Sequence, residues 1–345
     1  TSPKYQFPGE GEIAAAMKTM VLPPAQVGFL TGHGERDINR IGDAGYFNFT
    51  QAIGSKDAVI NNGFKVEVFE VNLKEEKHIP EKTDILFISQ VKEPLSEEEL
   101  IEIKQYIANG GNMVIAGDPG CQENMNVFME ELGVQFMPGR LMNNNPDIKP
   151  NLILATPTTA STKIPETRFA WMKRWNYRVP MVNAVGIDHS KANEKGWETF
   201  TLMTTDSLGC WNEQTHTAFT DATAELNPEL GEKEECFTMI LHMNRQVGDK
   251  EQRIVVIGDS DWCTNGELGT HRNNVNTEPP ITIRYNFSWL TYKQFPVYVE
   301  RPNGTDTKLF IGLDSTPWIK TFCMGILPLV LIIACITIQV KRKRK

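Results

Sequence analysis

Residues 84–120 read DILFISQVKEPLSEEELIEIKQYIANGGNMVIAGDPG. Two short apolar runs, Asp84–Ser89 and Asn112–Ala116, have the length and composition of strands buried on both faces. Between them the period changes. Leu100, Ile103 and Ile107 recur at helical spacing, and Ser96 followed by Glu99 forms a capping box. Glu97 and Glu98 favour the positive end of this helix, and Gly110 and Gly111 end it. Strand, helix and strand in this order predict a parallel pair joined by a right-handed crossover.

The same pattern extends outward. Ile13, Ala16, Met17 and Met20 predict a short amphipathic helix closed by Pro23 and Pro24. Gln26–Leu30 reads as a buried strand, residues 44–62 as a helix ended by Asn61, Asn62 and Gly63, and Lys65–Val71 as an alternating strand. Asn126–Leu132 reads as a further helix. Residues 138–250 lose the alternation, are rich in Asn, Pro, Thr and Trp, and contain strand-like pieces at Trp197–Met203 and Phe237–Met243. Arg253–Ile257 then resumes the buried-strand pattern and is expected to rejoin the first sheet. The fold class is therefore α/β: an open, mostly parallel sheet with helices on both faces and a β-rich insertion. The expected divisions are 1–137 with 252–295 as the sheet domain, 138–251 as the insertion or subdomain, and 296–320 as a juxtamembrane segment. A transmembrane helix at 321–340 and a basic tail at 341–345 complete the chain.

That helix is TFCMGILPLVLIIACITIQV, from Thr321 to Val340, without a charge. At about 1.5 Å per residue it spans about 30 Å, the thickness of a bilayer's hydrocarbon core. Trp318 precedes it, and Pro328 removes one helix hydrogen bond inside it. Lys341–Lys345 form the basic flank that marks a cytoplasmic end, which puts the bulk of the chain on the extracytoplasmic side. The chain begins at Thr1 without an apolar signal segment, so a preceding segment is expected to direct it to the membrane.

The chain's 345 residues carry a formal net charge of −8, which becomes −13 without the five-residue basic tail. Such a surface repels nucleic-acid phosphates, so nucleic acid is not expected as a partner. No phosphate-binding glycine motif is present, and no cofactor is expected. Cys121, Cys210, Cys236 and Cys263 are scattered without a CxxC pair, which argues against a zinc site. Disulfides remain open for an extracytoplasmic domain, and the spacing assigns no pairing.

Three loops follow apolar strands: Gly32-His33-Gly34-Glu35-Arg36-Asp37, Gly117-Asp118-Pro119-Gly120 and Gly258-Asp259-Ser260-Asp261. An open parallel sheet gathers such loops at its carboxyl edge, where ligands bind. The candidate binding residues are Gly32, His33, Gly34, Glu35, Asp118, Asp259, Ser260, Asp261 and Asn265. One reading is a site for a polar ligand or divalent cation. The other is that Asp and Gly build turns and cap the next helices. The Gly32–Glu35 and Gly258–Asp261 loops are expected to be neighbours, with Asp259 or Asp261 available to hold the His33 imidazole. No catalytic residue is assigned: Cys121 follows a strand and a turn, but Gln122 and Glu123 break the nucleophile-elbow pattern and no base is paired with it.

Several of these segments together resemble the gliding-motility-type ABC transporter auxiliary proteins, a substrate-binding-like family. The resemblance rests on Phe29–Glu35, on Pro94–Leu100 leading through Tyr106 and Ile107 to Asn112, and on Asp118 and Pro119. Val256–Asp261 with Asn265, Asn286–Leu290 and the final apolar helix complete it. The resemblance implies an amidotransferase-like or flavodoxin-like sheet without catalytic residues, and membrane helices upstream of this domain. It implies a non-catalytic, inner-membrane subunit with a periplasmic domain that binds substrate or partner proteins. Its partners would be the permease and ATPase subunits, the lipid bilayer and other envelope proteins. Two other functions stay open: an anchored hydrolase using His33 and the edge carboxylates, and an envelope scaffold.

Overall fold

A computed structural model describes residues 10–52, 58–59, 66–165, 167–214, 225–295 and 316–343. The strands of the first half are β1 (Ala25–Thr31), β2 (Val66–Asn72), β3 (Ile85–Ser89), β4 (Asn112–Ala116), β5 (Gln135–Phe136) and β6 (Arg140–Asn143). They are followed by β7 (Leu152–Pro157), β8 (Tyr177–Val182), β9 (Ile187–Asp188), β10 (Glu198–Thr204) and β11 (Cys210–Glu213). The last three are β12 (Thr238–Val247), β13 (Lys250–Ile257) and β14 (Asn276–Thr277).

Among the described residues a 12-stranded sheet runs β14-β8-β7-β10-β12-β13-β4-β3-β1-β2, with β9 beside β12 and β5 beside β9. The α/β class read from the sequence is borne out. Strands β13, β4, β3, β1 and β2 pair in parallel, and β13 lies against β4 in the register Ile254–Met113 to Ile257–Ala116. Arg253–Ile257 thus rejoins the sheet. The stretch 138–251 lost the alternation because its strands pair antiparallel: β12 with β13 and β10, β10 with β7, and β7 with β8. Antiparallel neighbours need no helical crossover. These strands widen the same sheet, and among the described residues only β6 and β11 form a separate pair.

Alternate residues of the parallel strands enter opposite cores, as the two-residue period of a strand requires. Phe87, Val114 and Val255 join Phe49, Ile283 and Phe287 on one face. Leu86, Ile88, Met113, Ile115 and Ile254 join Ile103, Ile107, Met125 and Phe128 on the other. Helices therefore cover both faces.

The helix Glu97–Ala108 carries the expected capping box: the Ser96 hydroxyl accepts from Glu99 N, and Glu99 Oε2 accepts from Ser96 N at 2.7 Å. The helix expected over 44–62 is, among the described residues, one turn at Phe47–Thr50, while 53–57 and 60–65 lie outside them. It begins late because Gly42–Gly45 form a turn and Asn265 holds the backbone of this segment. The helix expected at Asn126–Leu132 starts earlier, at Gln122, and ends in a tighter turn at Glu130–Leu132.

The chain divides into two units, Thr1–Val299 and Glu300–Lys345. In the second, the helix runs from Thr316 to Lys343 with a π-helical turn at Phe322–Ile326, just before Pro328. The missing N–H of Pro328 fits such a local widening. Among the described residues, Phe322–Gln339 is the one helix long and apolar enough to cross a membrane, with a mean hydropathy of 2.4.

Candidate functional site

The candidate residues sort into three groups at the carboxyl ends of the parallel strands. The first follows β1. Gly32 and Gly34 have φ of +111° and +82°, values that residues with a Cβ rarely adopt. They turn the chain so that His33 points inward and is fully buried. The His33 carbonyl accepts from Lys92 N at 2.8 Å and Glu93 N at 3.0 Å. Its Nε2 lies 3.2 Å from the Glu99 carboxylate, and its Nδ1 lies 3.4 Å from Glu35 Oε1. The other Glu35 oxygen accepts from His33 N at 2.6 Å.

This placement corrects the sequence reading. The imidazole is held by Glu99 and Glu35, not by Asp259 or Asp261. The reason is the capping box. By reaching back to Ser96 N, the Glu99 carboxylate is fixed at the start of its helix, where it also meets His33. Burial opposes the ionisation of Glu99, but hydrogen bonds from the Ser96 backbone and hydroxyl, with His33 beside them, hold its pKa below the ordinary value.

The second group joins all three edge loops through Arg36. Its guanidinium pairs with Asp118 at 3.2 Å and with Asp261, and it donates to Ser260 Oγ and Ala44 O at 3.4 Å each. Asp118 accepts from Ser260 N at 3.1 Å and from the Ser260 hydroxyl. Asp259 accepts from Val182 N at 2.8 Å and Asp261 N at 2.7 Å, which ties the end of β8 to this turn. Tyr46 donates its hydroxyl proton to Ser260 O at 2.6 Å.

Three carboxylates thus crowd one guanidinium. Burial raises the pKa of Asp118, against the pull of Arg36. Burial and then Asp261 and Asp118 push Asp259 well above the carboxylate range. Burial and Asp118 push Asp261 up to about 6, again opposed by Arg36. Of this group Asp261 is the carboxylate most open to solvent, with 24% of its side chain exposed against 6% for Asp118.

The third group is Asn265. Its Oδ1 accepts from Asn48 N at 2.6 Å, and its Nδ2 donates to Arg40 O and Gly42 O at 2.9 and 2.8 Å. Those three bonds pin the 40–48 loop. Cys121 is buried, and burial together with Asp118 pushes its thiol up to about 11. Among the described residues no group of three or more His, Cys, Asp or Glu side chains is arranged to hold a metal ion.

Arg36 was not among the residues singled out from sequence, although it follows Glu35 directly. The available signal was charge: two aspartate-bearing loops brought to one sheet edge require a cation, and Arg36 is the basic residue within the first loop.

Residues 24–170 match the model of the ABC transporter auxiliary family, described as "ABC-type uncharacterized transport system". The resemblance read from the sequence is borne out at that level. The match includes the Gly32–Arg36 loop, the Glu97–Ala108 helix and Asp118. No curated protein matches. Among solved structures, the mmIFT52 N-terminal domain aligns with a TM-score of 0.51 at 12% identity, covering 77% of this chain and 97% of that one. This likeness shows a shared fold. A ThuA-like protein from Parabacteroides merdae aligns at 0.42 and 10% identity, covering 81% of this chain and 94% of that one. The exo-β-1,4-mannosidase Op5Man5 from an Opitutaceae bacterium aligns at 0.36 and 12%, covering 84% and 39%.

Proposed function

We propose that the chain is a membrane-anchored, non-catalytic subunit of an ABC transport system, with its α/β domain outside the cytoplasm. The observation that carries the reading is the family match over residues 24–170, which takes in two of the three edge loops. The apolar helix Phe322–Gln339 supports the anchor, and the basic residues after it support a cytoplasmic C-terminus. The non-catalytic assignment draws on the side chains: His33 is enclosed by two carboxylates, and the Cys121 thiol is held protonated. An activated cysteine nucleophile needs a lowered pKa, the opposite of what surrounds Cys121. Within this reading the partly exposed rim of the edge, Arg36 with Asp261, contacts a partner subunit or the transported substrate. Permease and ATPase subunits are the partners we expect, and the expected sheet domain, 1–137 with 252–295, carries the contact surface.

The test is isolation of the tagged full chain from its own membranes in mild detergent. An ATPase with a phosphate-binding loop and a multi-span permease should co-migrate with it, and the Cys121→Ser variant should retain both. Recovery of the chain without an ATPase or permease would refute the assignment. Loss of the complex in Cys121→Ser, with normal expression, would turn attention back to that thiol.

A further inference from the structure

Cys210 opens β11, immediately after the turn that leaves β10 through Thr205. The segment entering β12 runs beside that turn and is bonded to both of its ends. Phe237 N donates to Thr205 Oγ1 at 2.9 Å, Thr205 N donates to Phe237 O at 2.9 Å, and Glu235 N donates to Cys210 O at 3.0 Å. Cys236 lies between these two attachment points. Its Sγ donates to Thr205 O at 3.3 Å, and Cys236 is one of the groups that act electrostatically on the Cys210 thiol. Two cysteines, 26 positions apart in sequence, thus lie on segments joined by these hydrogen bonds. A disulfide spans about 4.4–6.8 Å. Cys236 directly adjoins Glu235, the residue bonded to Cys210.

We infer that Cys210 and Cys236 are a disulfide-forming pair that can lock the start of β11 to the entry of β12. The two thiols differ in access. Cys236 is exposed and borders a cavity of about 410 Å³ lined by Thr156, Met172, Tyr177, Thr204 and Asp206. Cys210 is 7% exposed, and burial followed by Asp206 pushes its thiol up to about 11. Access therefore falls to Cys236.

The oxidant is a disulfide donor, either a small molecule or an oxidising protein. The Cys236 thiolate attacks one sulfur of the donor, forming a mixed disulfide and expelling the first donor thiolate. The Cys210 sulfur then attacks the Cys236 sulfur, closes the internal bond and expels the second thiolate. The protons leaving the two cysteines end on the two donor thiols. Both cysteines are oxidised, and the donor disulfide is reduced to two thiols. An extracytoplasmic compartment supplies such donors, but the chemistry itself does not depend on the transporter reading.

The experiment uses the full chain in detergent, reduced and then incubated with oxidised glutathione. Remaining thiols are alkylated after denaturation, and peptides are mapped by mass spectrometry without reduction. The Cys210 and Cys236 peptides should be joined, with the loss of two hydrogen atoms, and dithiothreitol should separate them. Cys236→Ser should abolish the link and leave Cys210 alkylated. Cys210→Ser should leave Cys236 carrying one glutathione. Since Cys236 is exposed, its substitution is expected to leave the melting temperature of the reduced protein unshifted. Alkylation of both cysteines in the oxidised wild type, a stable glutathione adduct on Cys236 without closure, or a bond only between two chains would each overturn the inference.

Discussion

Replacing Arg36 with methionine is expected to destabilise the α/β domain by about 3–5 kcal/mol near neutral pH, the usual cost of removing one partner from a buried ion pair. The guanidinium side chain is 12% exposed and is the cation directly bonded to Asp118 and Asp261. Its loss leaves these carboxylates with Asp259 in a small buried volume, and it also removes the bonds to Ser260 Oγ and Ala44 O. Methionine keeps most of the side-chain length and supplies neither charge nor donor. Equilibrium urea unfolding of the full chain in detergent measures the loss. Arg36→Lys should lose less, because the charge stays, but not nothing, because an ammonium lacks the flat fork that reaches two carboxylates together. A methionine variant within about 1 kcal/mol of wild type would show that the edge is not organised around this side chain.

The pH dependence of the same pair is a separate readout. The folded-state pKa of Asp261 is raised to about 6, and those of Asp118 and Asp259 are raised as well. A carboxyl with a raised folded pKa binds more protons folded than unfolded. Its contribution is fully present below the ordinary carboxyl value of about 3.8 and is lost as pH rises through the folded value. Removing Arg36 withdraws the cation that opposes these shifts, so the folded pKa values rise further. The stability gap between variant and wild type should therefore narrow as pH falls from about 7.5 to 5. A gap that stays constant over this window would contradict the carboxylate crowding.

Phe49→Ala is expected to cost about 3–5 kcal/mol, the range for truncating a fully buried phenylalanine. The ring is 0% exposed and lies 5.9–6.4 Å, centroid to centroid, from the rings of Phe29, Tyr46, Phe87, Trp262 and Phe287. These come from β1, β3, the helix Pro279–Leu290 and the loop segments around the edge, so one truncation opens a void shared by several elements. Tyr46, whose hydroxyl holds the Ser260 carbonyl, rests on this cluster. Phe49→Leu should cost clearly less, because more of the volume is kept. The check is again urea unfolding, and equal losses for alanine and leucine would mean that the cavity is not the dominant effect.

The contrast between Phe49 and Ser96 shows what neighbouring residues can and cannot specify. The Ser96–Glu99 box, the apolar stripe after it and the runs at Ile85–Ser89 and Asn112–Ala116 are local patterns, and each became the element it spelled. Arg253–Ile257 was legible as a buried strand for the same reason. The helix read over 44–62 was misjudged because Asn265, more than two hundred residues away, takes the backbone bonds of the preceding loop.

The sequence by itself determined the α/β class, the parallel core of the sheet, the positive-φ turn at Gly32 and Gly34, and the apolar C-terminal helix. All of these follow from residue type and spacing within one or two turns of chain. Tertiary structure alone decided that β7, β8, β10 and β12 extend the same sheet in antiparallel fashion and that His33 belongs to Glu99. It also decided that Arg36 joins Asp118 and Asp261. These outcomes depend on which strand lies beside which. Burial makes that order consequential, because a charge taken out of water must find a partner among the side chains that the topology brings within reach, however distant they are along the chain.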